Sequence, residues 1–382
     1  MSRYPEKIRP VWAEIDLAAL THNLTEVKRL VGPKVEIMAV VKAEAYGHGA
    51  VEVARTAIKA GATWLGVSLP EEGIALRQGG IQAPILVFQP LQSTQAAIFL
   101  DYNLTATVCL LDAAVALSRE AVKRRLETPV AVHVKVDTGM GRVGIPYQDA
   151  GSFFKSLSVL PLIKATGIYS HLATADHQDK TFAKTQIERF DGVVKRLINA
   201  GVELEKIHLA NSAGIIDLPD SYYNMVRPGI MLYGLMPSDC LENPNQVKLK
   251  PVFSLKTKAI FIKKVLQGTG ISYGLRYQAQ KDTTIVTIPI GYADGWSRIL
   301  SNKVAVLIRG KRYPIVGTIC MDQCMIDVDD EPIEIGQEIT LIGSEGSQAI
   351  TVDDVAQILG TINYEVTCML GDRIPRVFLN KV

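Results

Sequence analysis

Between residue 17 and about residue 234 the chain alternates short apolar runs with stretches whose apolar positions recur at helical spacing. The runs are 35–42 (VEIMAVVK), 63–69 (TWLGVSL), 84–89 (PILVFQ), 104–110 (LTATVCL), 129–137 (PVAVHVKVD), 163–172 (IKATGIYSHL), 206–211 (KIHLAN) and 225–232 (MVRPGIML). Their length and Val/Ile content predict buried strands. The stretches between them predict helices. Over 183–201, Ile187, Phe190, Val194 and Leu197 share one helical face and Gly201 supplies a stop. A further helix is predicted at 17–31, ahead of the first strand, and a weakly helical link at 215–224. Eight strands alternating with helices predict an α/β fold, a closed (β/α)8 TIM-like barrel over 12–238 rather than an open doubly wound sheet.

The texture changes after residue 236. A turn-rich stretch (236–251) leads into short Val, Ile and Thr runs broken by Gly, Pro and Asp, at 252–265, 283–292, 303–310, 311–317, 325–329 and 338–344. This predicts a mainly antiparallel β domain over 239–382, with one short helix at 351–360. The opening VWAEID is strand-like but outside the barrel count, so residues 1–16 are expected to pack on the second domain.

Composition narrows the function. Of 382 residues, 48% are hydrophobic and 21% charged, enough apolar material for a large core. Lys and Arg number 41 against 39 Asp and Glu, a net charge of +2. That balance argues against nucleic acid or an anionic membrane as a partner bound through bulk charge. Five scattered cysteines form neither a disulfide framework nor a zinc set, and six histidines show no ligand spacing, so no metal is expected. The N-terminus has no apolar signal-like stretch and no run approaches a membrane span. The expected location is the cytoplasm, where thiols stay reduced.

A barrel enzyme keeps its site at the C-terminal ends of its strands. There the chain places Lys42, then Asp137 leading into TGMGRVG with Arg142, then His171, Asn211-Ser212, and Arg227-Pro228-Gly229. Lys42 closes an apolar strand. A desolvated lysine favours the neutral amine that attacks a carbonyl, although a lysine reaching out to solvent is the plainer reading of that residue alone. In the fifth strand Val130, Val132, Val134 and Val136 alternate toward the outer helices, and Ala131, His133, Lys135 and Asp137 alternate into the barrel. That polar stripe predicts a site reaching down the barrel, with an interior Lys135–Asp137 pair as the alternative. GMGRVG matches a dinucleotide loop only formally, since Pro146 follows and no acidic residue ends the next strand.

At these residues the chain resembles alanine racemases, enzymes built on pyridoxal 5'-phosphate (PLP) in a fold of this type. The strings AVVKAEAYGHG, DTGMGRVGI, SHLATAD, HLANSAG, VRPGIMLYG, ISYG, PIGYADGW, ICMDQCMIDV and INYEV occur in family order along nearly the whole chain. The resemblance implies that Lys42 carries PLP covalently and acts as one base, with Tyr273 of the partner subunit as the second. Tyr46, Ser212, Gly229, Ile230 and Tyr364 would hold the phosphate. Asn211 and His171 would line the cofactor, with His171 behind Tyr273. Arg227 would face the pyridine nitrogen, and Arg142 would lie near the cofactor phenolate and the substrate carboxylate. Met321 and Asp322, also from the partner subunit, would help receive that carboxylate, and Tyr292 would line the entrance. Lys135 falls where some members carry a carbamylated lysine. The implied molecule is a homodimer with shared active sites acting on a small amino acid.

Three positions depart from the family's usual pattern: Glu44 where Asn is common, Thr318 where a basic residue often precedes ICMD, and Arg276 after ISYG. They leave room for a racemase of broader amino-acid specificity. From another class, a non-catalytic PLP-binding barrel would share the lysine strand but lack residues 241–382.

Overall fold

The computed structural model describes residues 9–381, which fall into two compact units. One comprises Ala19–Ala45 and Ala50–Lys250; the other comprises the described residues up to Ala18, Tyr46–Gly49 and the chain from Pro251. Residues 1–8 of the opening segment lie outside the described residues.

The first unit is a closed parallel barrel. Its strands are Glu36–Val40, Trp64–Val67, Ile85–Pro90, Thr105–Val108, Val130–Asp137, Ile163–Tyr169, Lys206–His208 and Met225–Val226. Each pairs with its sequence neighbour, and the eighth returns to the first, Met225 opposite Glu36 and Val226 opposite Ile37. Most of the longer helices between them bury one apolar stripe. In Thr181–Asn199 that stripe includes Phe190, Val194 and Leu197, and the helix ends just before Gly201 at a positive φ of 81°. The helix Leu17–Val31 precedes the first strand, and the link after the seventh strand holds a short helix, Ser212–Asp217.

Several strands end earlier than their apolar runs. The first hydrogen-bonds as a strand only to Val40, so Lys42 follows the strand instead of closing it. In the fifth, His133 and Lys135 are buried, but Ala131 at its opening is exposed and Asp137 at its end is half-buried. The expected inward stripe therefore shrinks to two side chains, because the barrel wall encloses only the middle of a strand. A buried ion pair, Lys180 Nζ to Asp217 Oδ2 at 2.8 Å, ties the loop after the sixth strand to the helix after the seventh. Burial raises the Asp217 carboxyl, but Lys180 and the backbone N–H groups of Glu242 and Asn243 outweigh it and leave its pKa lowered.

The second unit is a mainly antiparallel sheet. Its order runs Phe261–Val265, Thr283–Ile288, Cys324–Asp327, Lys311–Val316, Ala305–Ile308, Glu338–Glu345, Phe253–Lys258, Val11–Asp16 and Arg376–Leu379. Val11–Asp16 pairs antiparallel with Phe253–Lys258 and parallel with Arg376–Leu379. Two short helices, Val352–Leu359 and Asn363–Met369, lie late in the chain. The second was not predicted, since its seven residues are too few for a periodic pattern to register.

Candidate active site

The barrel interior is polar along one line. Arg227, buried, donates from Nη1 to His208 Nδ1 (2.9 Å) and from Nη2 to the carbonyls of Ser170 (2.7 Å) and Leu209 (3.0 Å), with His171 Nδ1 at 3.3 Å. His208 Nε2 lies 2.9 Å from His133 Nδ1. A guanidinium only donates, so His208 Nδ1 accepts and the proton of neutral His208 sits on Nε2, where it donates to His133. Burial pushes His133 down to about 3, with Lys206 and Arg227 adding to it. Both imidazoles are therefore neutral at pH 7. Tyr169 stacks flat on His208 (4.7 Å between centroids, 4° between planes) and shares a 2.7 Å hydrogen bond with Thr107. Gly167 is required here, because a Cβ would meet the His133 ring at 2.4 Å.

Lys42 opens an unusual turn. Ala43, Glu44, Ala45 and Tyr46 have φ of 51°, 53°, 54° and 55°, and Gly47 follows at 82°. Four non-glycine residues in succession adopt the left-handed conformation, at about 1–2 kcal/mol each. Such strain persists only where the surroundings over-determine it. Tyr233 donates to the Val40 carbonyl (2.8 Å), Ala45 N–H to the Val41 carbonyl (2.9 Å), and Ala50 N–H to the Glu44 carboxylate (3.1 Å). The Glu72 carboxylate accepts from Ala43 N–H (2.6 Å) with one oxygen, and from Ser68 N–H (2.6 Å) and Leu69 N–H (2.9 Å) with the other.

The remaining barrel residues gather at the same end. Asn211 caps the Ser212–Asp217 helix by accepting from Gly214 N–H (3.0 Å), and Ser212 Oγ accepts from Gly229 N–H (2.9 Å) and Met231 N–H (3.4 Å). These bonds join the end of the seventh strand to Gly229 and Ile230 after the eighth. Asp137 accepts from the N–H groups of Gly139, Met140 and Gly141, so its charge serves the loop that carries the exposed Arg142. The alternative, an interior Lys135–Asp137 pair, does not form. Among the described residues no carboxylate lies within 4.0 Å of the Lys135 ammonium, which sits 4.3 Å above the Tyr169 ring. Burial, then Arg227 and Arg142, hold the Lys135 amine well below its usual pKa. His171 is likewise held down, first by burial and then by Lys135, Arg227, Arg142 and Lys42.

In the second unit, Tyr273 is 73% exposed and sits on a fixed loop. Ser272 Oγ donates to the Thr318 carbonyl (2.6 Å), and Thr318 Oγ1 donates back to the Tyr273 carbonyl (2.8 Å). Ser272 and Leu275 have φ of 64° and 48°. Tyr292 N–H and Ala293 N–H donate to the Cys320 and Met321 carbonyls (3.1 and 3.0 Å), and Gly291 leaves room for that approach. Tyr292 and Met321 are exposed there, as is Asp322, which pairs with Arg373 (2.6 Å). Tyr46 is buried with its ring 6.1 Å from that of Tyr364, and burial, then Tyr364, raises its pKa. Arg276 is exposed.

Sequence reasoning missed the residues that hold these side chains. Gln186, fully buried, accepts from Ala173 N–H and donates to the His171 carbonyl (3.0 Å) and to Thr138 Oγ1 (3.3 Å). A glutamine among the buried positions of an amphipathic helix was the available signal. Buried Asp294 takes Arg9 on both oxygens and accepts from Gly291 N–H, fixing the loop of Tyr292. Glu72 lies in the first turn of the helix Pro70–Gln78, where an acidic residue is common and signals no site.

Residues 15–237 match the family described as alanine racemase, N-terminal domain, and residues 252–378 the alanine racemase C-terminal domain family. An alanine racemase of Halothermothrix orenii is 45% identical over 98% of this chain and 98% of its own length. The solved structure of an alanine racemase from Clostridium difficile 630 is 40% identical with a TM-score of 0.92, covering 99% of this chain and 98% of that one. A histidine racemase from Leuconostoc mesenteroides is 30% identical with a TM-score of 0.91, covering 99% of this chain and all of that one.

Proposed function

We propose that this chain, which belongs to the alanine racemase family, is an isomerase that interconverts L-alanine and D-alanine with PLP and supplies D-alanine for peptidoglycan. The observation that carries the reading is buried Arg227, which donates to His208 and lies beside His171, at the strand ends where Lys42 and the exposed Arg142 also stand. That set fits an anionic aldehyde: an amine in Lys42 to react with the carbonyl and a cation in Arg142 for the phenolate. Ser212, Gly229, Ile230, Asn211, Tyr46 and Tyr364 are the residues we assign to the phosphate end. Bound PLP supplies a conjugated ring that acidifies the substrate Cα–H.

The chain's own part is to move a proton. Racemisation takes it from one face of Cα and returns it to the other, which two fixed bases accomplish without travelling. We assign Lys42 and Tyr273 as that pair, with His171 behind Tyr273. Amines and phenols in general act as bases at neutral pH only when their surroundings favour the basic form: burial or cations for an amine, cations for a phenol. Arg227 is held to about 10 by burial yet stays charged at pH 7, so whatever faces it meets a donor that keeps its proton. His208 supports this, because its Nδ1 is committed as an acceptor from Arg227. Arg142, Met321 and Asp322 are assigned to the substrate carboxylate end and Tyr292 to the entrance.

Glu44 and Thr318 depart from the family pattern, but both bond backbone groups, Ala50 N–H and the Tyr273 carbonyl, which favours alanine over a broader range. The chain reconstituted with PLP is expected to interconvert D- and L-alanine, with kcat/KM about tenfold or more above that for serine or histidine. Borohydride should bleach its visible absorbance. Failure to take up PLP, or faster turnover of histidine than of alanine, overturns the reading. We further assign a cytoplasmic homodimer. The free state of all five cysteines suits a reducing compartment, and no helix among the described residues is long and apolar enough to cross a membrane.

Lys135 is assigned as carbamylated. Its amine, driven neutral by burial and two arginines, adds carbon dioxide through a new N–C bond and loses a proton to solvent. The resulting anion supplies the missing counter-charge to Arg142. Lys135→Ala should therefore lose activity that short carboxylic acids partly restore; a bare ammonium in a high-resolution map decides against the modification.

A further inference from the structure

We propose that Glu72 is a positioning residue for Lys42, a role that rests on the PLP reading above. Glu72 stands at the third position of the helix Pro70–Gln78, where a carboxylate commonly caps the helix start by accepting the N–H just before it. The bond from Leu69 N–H satisfies that role with one oxygen. The other oxygen reaches 29 positions back along the chain to Ala43 N–H at 2.6 Å, in the segment after a different strand.

The Ala43 N–H belongs to the peptide that joins it to Lys42, and a peptide is planar. Fixing that N–H fixes the plane containing both Cα atoms and so limits the directions open to the Lys42 side chain. Ala43 is also the first of the four left-handed residues. Other bonds hold neighbouring parts of the segment: Tyr233 on the Val40 carbonyl, Ala45 N–H on the Val41 carbonyl, and Ala50 N–H on the Glu44 carboxylate. Glu72 holds the junction itself. Through Ser68 and Leu69 the same carboxylate grips the end of the second strand, so Lys42 is indexed to the barrel wall beside it.

Charge is essential to this arrangement, because three N–H donors converge on two oxygens. Glutamine keeps the length and one carbonyl oxygen, and it serves the helix start as well as glutamate does. It must then turn its NH2 toward one of the remaining donors. Glu72→Gln thus separates capping from positioning. In the full-length chain without cofactor, hydrogen exchange of the segment Lys42–Gly47 should accelerate about tenfold or more, while the thermal midpoint stays close to wild type. The PLP dissociation constant should rise about tenfold to a hundredfold. Glu71→Gln, which removes an exposed charge from the same helical turn, should change none of these. Glu72→Ala should add a loss of thermal stability through the lost cap.

Unchanged exchange in Glu72→Gln, or faster exchange with wild-type PLP affinity, overturns the proposal. So does an equal effect of Glu71→Gln, which would make the cause general helix charge. A wild-type chain that binds no PLP removes the underlying reading and this proposal with it, whereas tight wild-type binding matched by Glu72→Gln sinks this proposal alone.

Discussion

Lys42→Ala is expected to lose racemase activity by about 10⁴-fold or more, because it deletes a base and the point of cofactor attachment together. The variant should fold. Lys42 is only half-buried, and alanine tolerates the conformation before the strained turn as well as lysine does. Non-covalent PLP should remain weakly held by the groups assigned to its phosphate and ring, and should leave on dialysis. Borohydride should then trap no adduct. The measurement must name the site, because a second amine is at hand: Lys135 is buried and its pKa is lowered, which makes it a competent nucleophile in principle. Peptide mapping of the reduced wild-type protein distinguishes them. An adduct on Lys135, or a normal adduct in Lys42→Ala, would sink the assignment of Lys42.

Much of this barrel could be read from the chain because its strands are buried on both faces. Continuous apolar runs such as VEIMAVVK and PVAVHVKVD stand out from the amphipathic helices between them, and all eight appear as parallel neighbours. Strand ends were less legible. The run through Lys42 stays apolar past Val40, but hydrogen bonding stops and the backbone enters a left-handed turn that no side-chain pattern announces. Residues bearing reactive groups at the strand ends were legible by type: Lys42, Arg142, His171, Arg227. Their supports were not. Gln186, Glu72 and Asp294 act through backbone groups distant in sequence, so nothing local marks them. The polar stripe of the fifth strand was half right. His133 and Lys135 enter the barrel, but Asp137 turns to the N–H groups of its own loop, which a two-residue alternation cannot foresee.

The remaining large effect concerns where the second base comes from. Lys42 and Tyr273 belong to different compact units, and Tyr273 is 73% exposed in the single chain although its loop is tightly fixed. An exposed aromatic side chain on a rigid loop suits a group offered to another molecule. A phenol acting as a base at neutral pH also needs cations close by. We therefore expect Tyr273 to serve the barrel of a second copy. Lys42→Ala and Tyr273→Phe homodimers should each be nearly inactive, the second by about 10²–10⁴-fold, the usual worth of a general base. Mixing the two, with subunit exchange verified by differently tagged chains, should create heterodimers with one intact lysine and one intact tyrosine facing the same site. Each heterodimer then carries one complete site and one doubly defective site, so its activity should approach half that of wild type. If both bases act within one chain, every site in the mixture lacks one of them. Verified exchange without recovery would establish that arrangement instead.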